Sequence, residues 1–187
     1  MSKEYSEVRP EGARRNLILL SLVSLFTDIS SEMVYSLVPG FLRSLGASNV
    51  LVGLIEGVAE ATASLSKSLF GWLSDRIKKR KLFVLLGYSL SALSKPFLAA
   101  AGHWGHVLGV RFAERTGKGL RSPARDALLS QSVSQKRRGL GFGFQRAMDN
   151  LGAASGPLLA MLIIYLSHNN VRLVFLLSVL PALIGVA

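Results

Sequence analysis

The chain contains no cysteine. That removes disulfides, thiolate catalysis and cysteine-based metal sites. Histidine is scarce too. His103 and His106 stand three apart in a short polar stretch, and His168 has no partner nearby in sequence, so neither a metal site nor a cofactor is expected. No convergent catalytic set is present, which argues against an enzyme. Acids are few, 11 Asp and Glu against 22 Lys and Arg, for a formal net charge of +11. No Pro- or Ser-rich linker and no low-complexity tract divides the 187 residues.

An excess of bases ordinarily points to nucleic acid or an anionic surface. Here their positions decide against nucleic acid, because they alternate with apolar runs. Half of the residues are hydrophobic and the mean hydropathy is positive. Lys3, Arg9, Arg14 and Arg15 precede the first apolar run; Arg76, Lys78, Lys79, Arg80 and Lys81 fill the second connection; Lys136, Arg137 and Arg138 fill the fourth. The odd-numbered connections hold only Arg43 and Arg172. Bases concentrated on alternate connections mark a chain that crosses a membrane repeatedly with those connections in the cytoplasm. The start, Arg14-Arg15 then Leu17 to Phe26, looks like a signal peptide, but it leads into Asp28 and Glu32 without a cleavage site and reads as an uncleaved first span.

Six spans are expected, at about 16–42, 49–74, 81–102, 106–133, 139–167 and 171–187, each near the ~20 residues a bilayer requires. Segments 1, 3 and 6 stand out by hydropathy. Segments 2, 4 and 5 carry more charge, and segment 4 is required mainly by the loop charges. Segment 6 is short, so the chain reads as clipped there.

Fifteen ionisable residues fall inside these spans: Asp28, Glu32, Glu56, Glu60, Lys67, Lys95, Arg111, Glu114, Arg115, Lys118, Arg121, Arg125, Asp126, Arg146 and Asp149. At roughly 2.5–3.5 kcal/mol per central charge, exposing all of them to lipid would cost on the order of 40 kcal/mol. They must pair, sit near the ends or line a wet interior. Asp28 and Glu32 are four apart and share a helical face, as do Glu56 and Glu60. Arg111, Arg115, Lys118 and Arg125 form a stripe along segment 4. At ~1.5 Å per residue, Asp28, Glu60 and Lys118 fall near the midplane, with an acid-rich layer outward and a base-rich layer inward. The bases Arg115, Lys118 and Arg121 call for an anionic or zwitterionic group on a substrate. A cation meeting Asp28 and Glu32 is the competing substrate class.

Three motifs add detail. Gly71-Trp72-Leu73-Ser74-Asp75-Arg76-Ile77-Lys78-Lys79-Arg80-Lys81 ends one apolar segment in a basic turn. It resembles the loop between helices 2 and 3 of major facilitator superfamily transporters, G-x-L-[SA]-D-R-x-G-[RK]-[RK], with Lys78 in place of the family's second glycine. Arg111-Phe112-Ala113-Glu114-Arg115-Thr116-Gly117-Lys118-Gly119-Leu120-Arg121-Ser122-Pro123-Ala124 is similar to the family's helix 4 motif, R-F-x-Q-G-x-G-x-G-x-x-x-P-A, with Glu114 for the glutamine and Arg115 for the first glycine. Gly152-Ala153-Ala154-Ser155-Gly156-Pro157 resembles the G-x-x-x-G-P motif of the proton-driven exporters, although Leu159 and Ala160 replace the following glycine pair. Thr116-Gly117-Lys118-Gly119 is not a phosphate-binding loop, since no strand precedes it and the required hydroxyl is missing.

The resemblance implies an all-α membrane protein of six transmembrane helices in two inverted three-helix repeats, the N-terminal half of a major-facilitator fold, with helices 1 and 4 lining the cavity. Residues 1–15 would form a cytoplasmic N-terminal tail and 16–187 the bundle, cut short in helix 6. The expected function is a secondary active transporter in the cell (inner) membrane, moving a small solute by alternating access, with a tilt toward export. Proton coupling would run through Asp28 or Glu32 with Arg111 and Glu114. Gly71, Asp75 and Arg76 would form a cytoplasmic gating loop, and Gly152, Gly156 and Pro157 a helix-packing seam. Protons, the lipid bilayer, and a missing C-terminal half or a second copy in parallel orientation are the expected partners. The alternative is a fragment or half-transporter inactive as a monomer.

Overall fold

The computed structural model describes residues 10–186, so the first nine positions of the expected tail and Ala187 lie outside the described residues. Eight α-helices follow one another: α1 (Pro10–Tyr35), α2 (Val38–Ser44), α3 (Asn49–Ile77), α4 (Arg80–Ala99), α5 (Trp104–Ser132), α6 (Arg138–Leu166), α7 (Val171–Leu177) and α8 (Val179–Val186). A short 3-10 turn at Gln135–Arg137 precedes α6, and there is no strand among the described residues. The six expected segments are therefore α1 with α2, α3, α4, α5, α6, and α7 with α8.

The first and last segments are broken where each is expected to be one helix. α1 ends in a tight turn, Leu37 N donating to Val34 O at 3.0 Å. Pro39 then opens α2, a position where a missing N–H costs nothing. The break at Ser178 lies three residues before Pro181, which has no N–H to give the carbonyl four residues back.

Three stretches are long and apolar enough to cross a membrane: 14–44, 80–99 and 135–166. The third contains segment 5, which is more apolar than its charges indicate. α3 and α5 have the length, 29 residues each, but not the composition. α5 turns its charges inward, burying Arg111, Glu114, Arg115 and Arg121.

The packing repeats itself. α6 lies along α1 and α3 along α5; α4 lies along α5 and α8 along α1; α1 meets α5 and α4 meets α8. Exchanging the first three segments for the last three leaves this set of pairs unchanged, as a bundle built from two equivalent three-helix units requires. Glycines make the seams. A Cβ on Gly87 would lie 2.6 Å from the Gly117 carbonyl, and one on Gly117 would lie 2.8 Å from the Gly87 carbonyl, so α4 and α5 touch backbone to backbone. Gly185 of α8 approaches Val23 and Thr27 of α1 in the same manner.

The apolar core sits at one end. Val34, Val38, Phe41, Leu42, Ala47, Val52, Ile55, Leu98, Ala99, Ala101, Val107 and Phe175 form one cluster there. The Arg172 guanidinium locks it, donating to the Ala99 and Ala101 carbonyls at 2.7 and 2.9 Å. A smaller apolar cluster of Met33, Ala160 and Val174 lies beside it, and much of the remaining interior is polar.

Candidate functional site: a polar interior between the first and fourth segments

Side chains on α1, α3, α4 and α5 form a polar interior below the apolar plug, in three tiers. The outermost centres on Arg111, whose guanidinium pairs with Glu56 of α3 and with Glu114 one turn along α5 at 3.4 Å. Tyr35 donates its hydroxyl to Glu114 at 2.9 Å. Arg115 pairs with Glu60 at 2.5 Å. Both guanidinium carbons lie 4.4 Å from the Tyr35 ring centroid, so one aromatic ring receives two cations.

The middle tier holds Asp28, Glu32, Lys118 and Arg121. Arg121 reaches Asp28 at 3.8 Å, donates to the Ser91 hydroxyl at 2.7 Å and covers the Tyr88 ring. Beside it, Lys95 of α4 is 1 % exposed. It donates to Ser30 of α1, whose hydroxyl in turn donates to the Ser178 carbonyl at the α7–α8 break. This chain ties three segments together at the helix discontinuity.

The innermost tier is a network of α1, α5 and α6. Arg125 lies 3.0 Å from Asp126 and 3.7 Å from Asp149. Asp149 also accepts from Ser24 at 2.7 Å and Gln145 at 2.8 Å, and Ser21 donates to Gln145 at 2.9 Å.

Acids and bases thus interleave in every tier, instead of an acid-rich layer facing a base-rich one. The i, i+3 spacing of Arg111 and Glu114 and the approach of α3 bring carboxylates to the same depth as the guanidiniums. Most of the basic stripe is thereby neutralised within the protein. Glu32, Lys118 and Lys95 are left over: among the described residues none of the three has an ion-pair partner within 4.0 Å, but Lys95 is enclosed and held by Ser30, whereas Glu32 and Lys118 stay partly exposed. Each still acts electrostatically on the other.

The helix-packing residues lie against Asp28 and Glu32 of α1. A Cβ on Gly152 would lie 2.9 Å from the Asp28 Cβ, and one on Gly156 would lie 2.6 Å from the Glu32 Cβ. α6 is therefore pressed onto the face of α1 that carries both acids, and it runs on through Pro157 as a single helix. Gly71, Asp75 and Arg76 stand apart, at the α3–α4 end of the bundle. Gly71 faces Pro123 of α5. Asp75 pairs with Arg80 at 2.7 Å across the turn rather than capping α4, and Arg76 lies over the Trp72 ring. His103 caps α5, its Nδ1 accepting from Gly105 N at 3.1 Å. No group of three metal-binding side chains is found among the described residues.

Tyr35, Tyr88, Ser91, Ser30, Ser24 and Gln145 also belong to this interior, although sequence reasoning did not select them. For Tyr35 a signal existed: Asp28, Glu32 and Tyr35 follow i, i+4, i+7 spacing on one helix face.

A family model described as Major Facilitator Superfamily matches residues 20–187. An uncharacterised MFS-type transporter of Methanocaldococcus jannaschii is 36% identical over 167 residues, 89% of this chain and 42% of that protein. An uncharacterised protein of Mycobacterium tuberculosis H37Rv is 37% identical over 147 residues, 79% of this chain and 36% of that protein. The Fosmidomycin resistance protein of Escherichia coli K12 is 25% identical over 90% of this chain and 41% of its own length. Among solved structures, a POT family transporter in complex with 5-aminolevulinic acid superposes with a TM-score of 0.85 at 21% identity, over 92% of this chain and 37% of that one. The chain spans about 40% of the length of the curated relatives it matches.

Proposed function

The chain belongs to the Major Facilitator Superfamily, hence to multi-pass membrane proteins, and from that membership we propose that it forms a six-helix unit of a secondary transporter moving a small zwitterionic solute. α3 and α5 cross the membrane in this reading despite their charges. The base-rich connections face the cytoplasm and the membrane is the cell membrane. A second six-helix unit, from further chain or a second copy, completes the translocation path, and alternating access exposes the interior to each side in turn.

The observation that carries this reading is the unpaired couple Glu32 and Lys118. Holding charge in a partly buried site without a partner is costly; the neighbouring Arg111, Arg115, Arg121 and Arg125 all have carboxylates, and Lys95, which has none, is enclosed against Ser30 and closed to a solute. A solute bearing both an ammonium and an acid group would satisfy Glu32 and Lys118 together. Lys118 supplies the anion-binding point charge and Glu32 the cation-binding one.

Proton coupling runs through Asp28 or Glu32, with Arg111 and Glu114 as the adjoining pair. Two supports favour export. Relatives include a protein named for multidrug resistance and one named for fosmidomycin resistance, at 24% and 25% identity, and the Gly152–Pro157 seam shapes α6 against the two acids of α1.

Reconstituted full-length protein tests the reading. Counterflow of labelled zwitterionic solutes is expected in the native protein and lost in both Glu32→Gln and Lys118→Gln. Counterflow of lipophilic cations that survives Lys118→Gln and fails in Glu32→Gln would replace the zwitterion with the cationic substrate class.

A further inference from the structure

We propose that the cavity beside the α3–α4 connection binds the phosphate group of an anionic phospholipid. The cavity has a volume of about 710 Å³, and its wall includes Lys78, Lys79, Arg80 and Lys81 from the connection with Leu128 and Gln131 from α5. Its single lining carboxylate, Asp75, is taken up by Arg80 at 2.7 Å. Three lysines therefore face this space without an ion pair among the described residues.

Independent features point to an anion. The Arg80 Nε is buried and has no hydrogen-bond partner. The first turn of α4 has no side-chain cap, Lys79 occupying that position; Leu82 N turns back to the Lys79 carbonyl at 3.0 Å, which leaves the Arg80 and Lys81 amides and the helix dipole at the same place. Lys78 adopts a left-handed conformation, φ 61°, and puts a base where the family pattern has glycine.

The surroundings select a lipid over a soluble anion. Leu82 lines the cavity, and Trp72, Ile77 and Leu82 are exposed around the turn. An aromatic and two aliphatic side chains at the end of a membrane helix mark the headgroup level. An occupant with a phosphate and an apolar body fits both surfaces, and basic recesses between transmembrane helices hold such headgroups.

The test titrates delipidated full-length protein with phosphatidylglycerol, phosphatidylcholine or inorganic phosphate and counts bound ligand by native mass spectrometry. Phosphatidylglycerol is expected to bind, phosphatidylcholine at least tenfold more weakly, and inorganic phosphate more weakly still. The Lys79→Gln/Lys81→Gln variant should lose on the order of tenfold in affinity for phosphatidylglycerol. Lys136→Gln/Arg137→Gln removes the same charge from the α5–α6 connection and should keep native affinity. Lys78→Gly serves as a second site variant if the double one unfolds, with a smaller loss expected. Equal loss in the control variant would reduce the effect to bulk charge and overturn the proposal. Equal binding of both lipids would also overturn it, and so would inorganic phosphate binding as tightly as phosphatidylglycerol.

Discussion

Gly156 of α6 packs against Glu32 of α1 so closely that a Cβ on the glycine would lie 2.6 Å from the Glu32 Cβ and 2.8 Å from the Ile29 carbonyl. The residue that carries the unpaired acid is thus also the floor of the α1–α6 seam. Gly156→Ala is expected to lower stability by about 1–3 kcal/mol, the usual range for overpacking. Gly53→Ala, where a Cβ meets nothing within 4 Å, should be neutral or slightly stabilising. Thermal unfolding of the two variants in detergent checks the contrast.

Arg111 is 1 % exposed and holds two carboxylates. Arg111→Gln leaves Glu56 and Glu114 without their cation, and breaking such a buried pair costs about 3–5 kcal/mol. Adding Glu56→Gln should recover part of the loss. A double-mutant cycle on unfolding free energy gives the coupling, and a coupling near zero would contradict the geometry.

Glu32→Gln and Lys118→Gln should behave in the opposite way. Neither residue has an ion pair to lose and each carries an uncompensated charge, so each variant should insert normally and unfold no more easily than the native protein. Their effect should appear in transport. A large stability loss in either would show a structural role instead.

Lys78 closes α3 in a left-handed conformation, φ 61° and ψ 11°. A side chain there costs roughly 1–2 kcal/mol that glycine avoids. Lys78→Gly is accordingly expected to raise stability by about 1 kcal/mol, read as an upward shift in the unfolding temperature of the full chain.

The helical membrane class was legible because apolar segments alternate with base-rich connections and three family-like motifs fall in order along the chain, although only three stretches are long and apolar enough to cross a membrane. The Gly71–Lys81 turn even showed its irregular position, since Lys78 replaces a glycine where the backbone turns left-handed. Partners across helices were harder to read. Local spacing placed Glu114 near Arg111, but nothing in the sequence says that α3 delivers Glu56 and Glu60 to the same two arginines. That pairing depends on the glycine contact of α5 with α3 at Gly119, whose Cβ would meet the backbone of Ser66 and Lys67. The break in the last segment was carried by Pro181. The stitch from Lys95 through Ser30 to Ser178 had no sequence signal, because it joins residues 65 and 148 positions apart.

All of this depends on the two charged helices crossing the bilayer, and the absence of cysteine allows a direct test. Single cysteines at Ser48, Lys79, Gly102, Ser134 and Asn170 would be labelled with a membrane-impermeant thiol reagent in intact cells and in inverted vesicles. Six crossings predict that positions 48, 102 and 170 label from outside, and 79 and 134 only from the cytoplasmic side. If 48 and 79, or 102 and 134, label from the same side, then α3 or α5 does not span the membrane, and the polar interior described here is not a transport path.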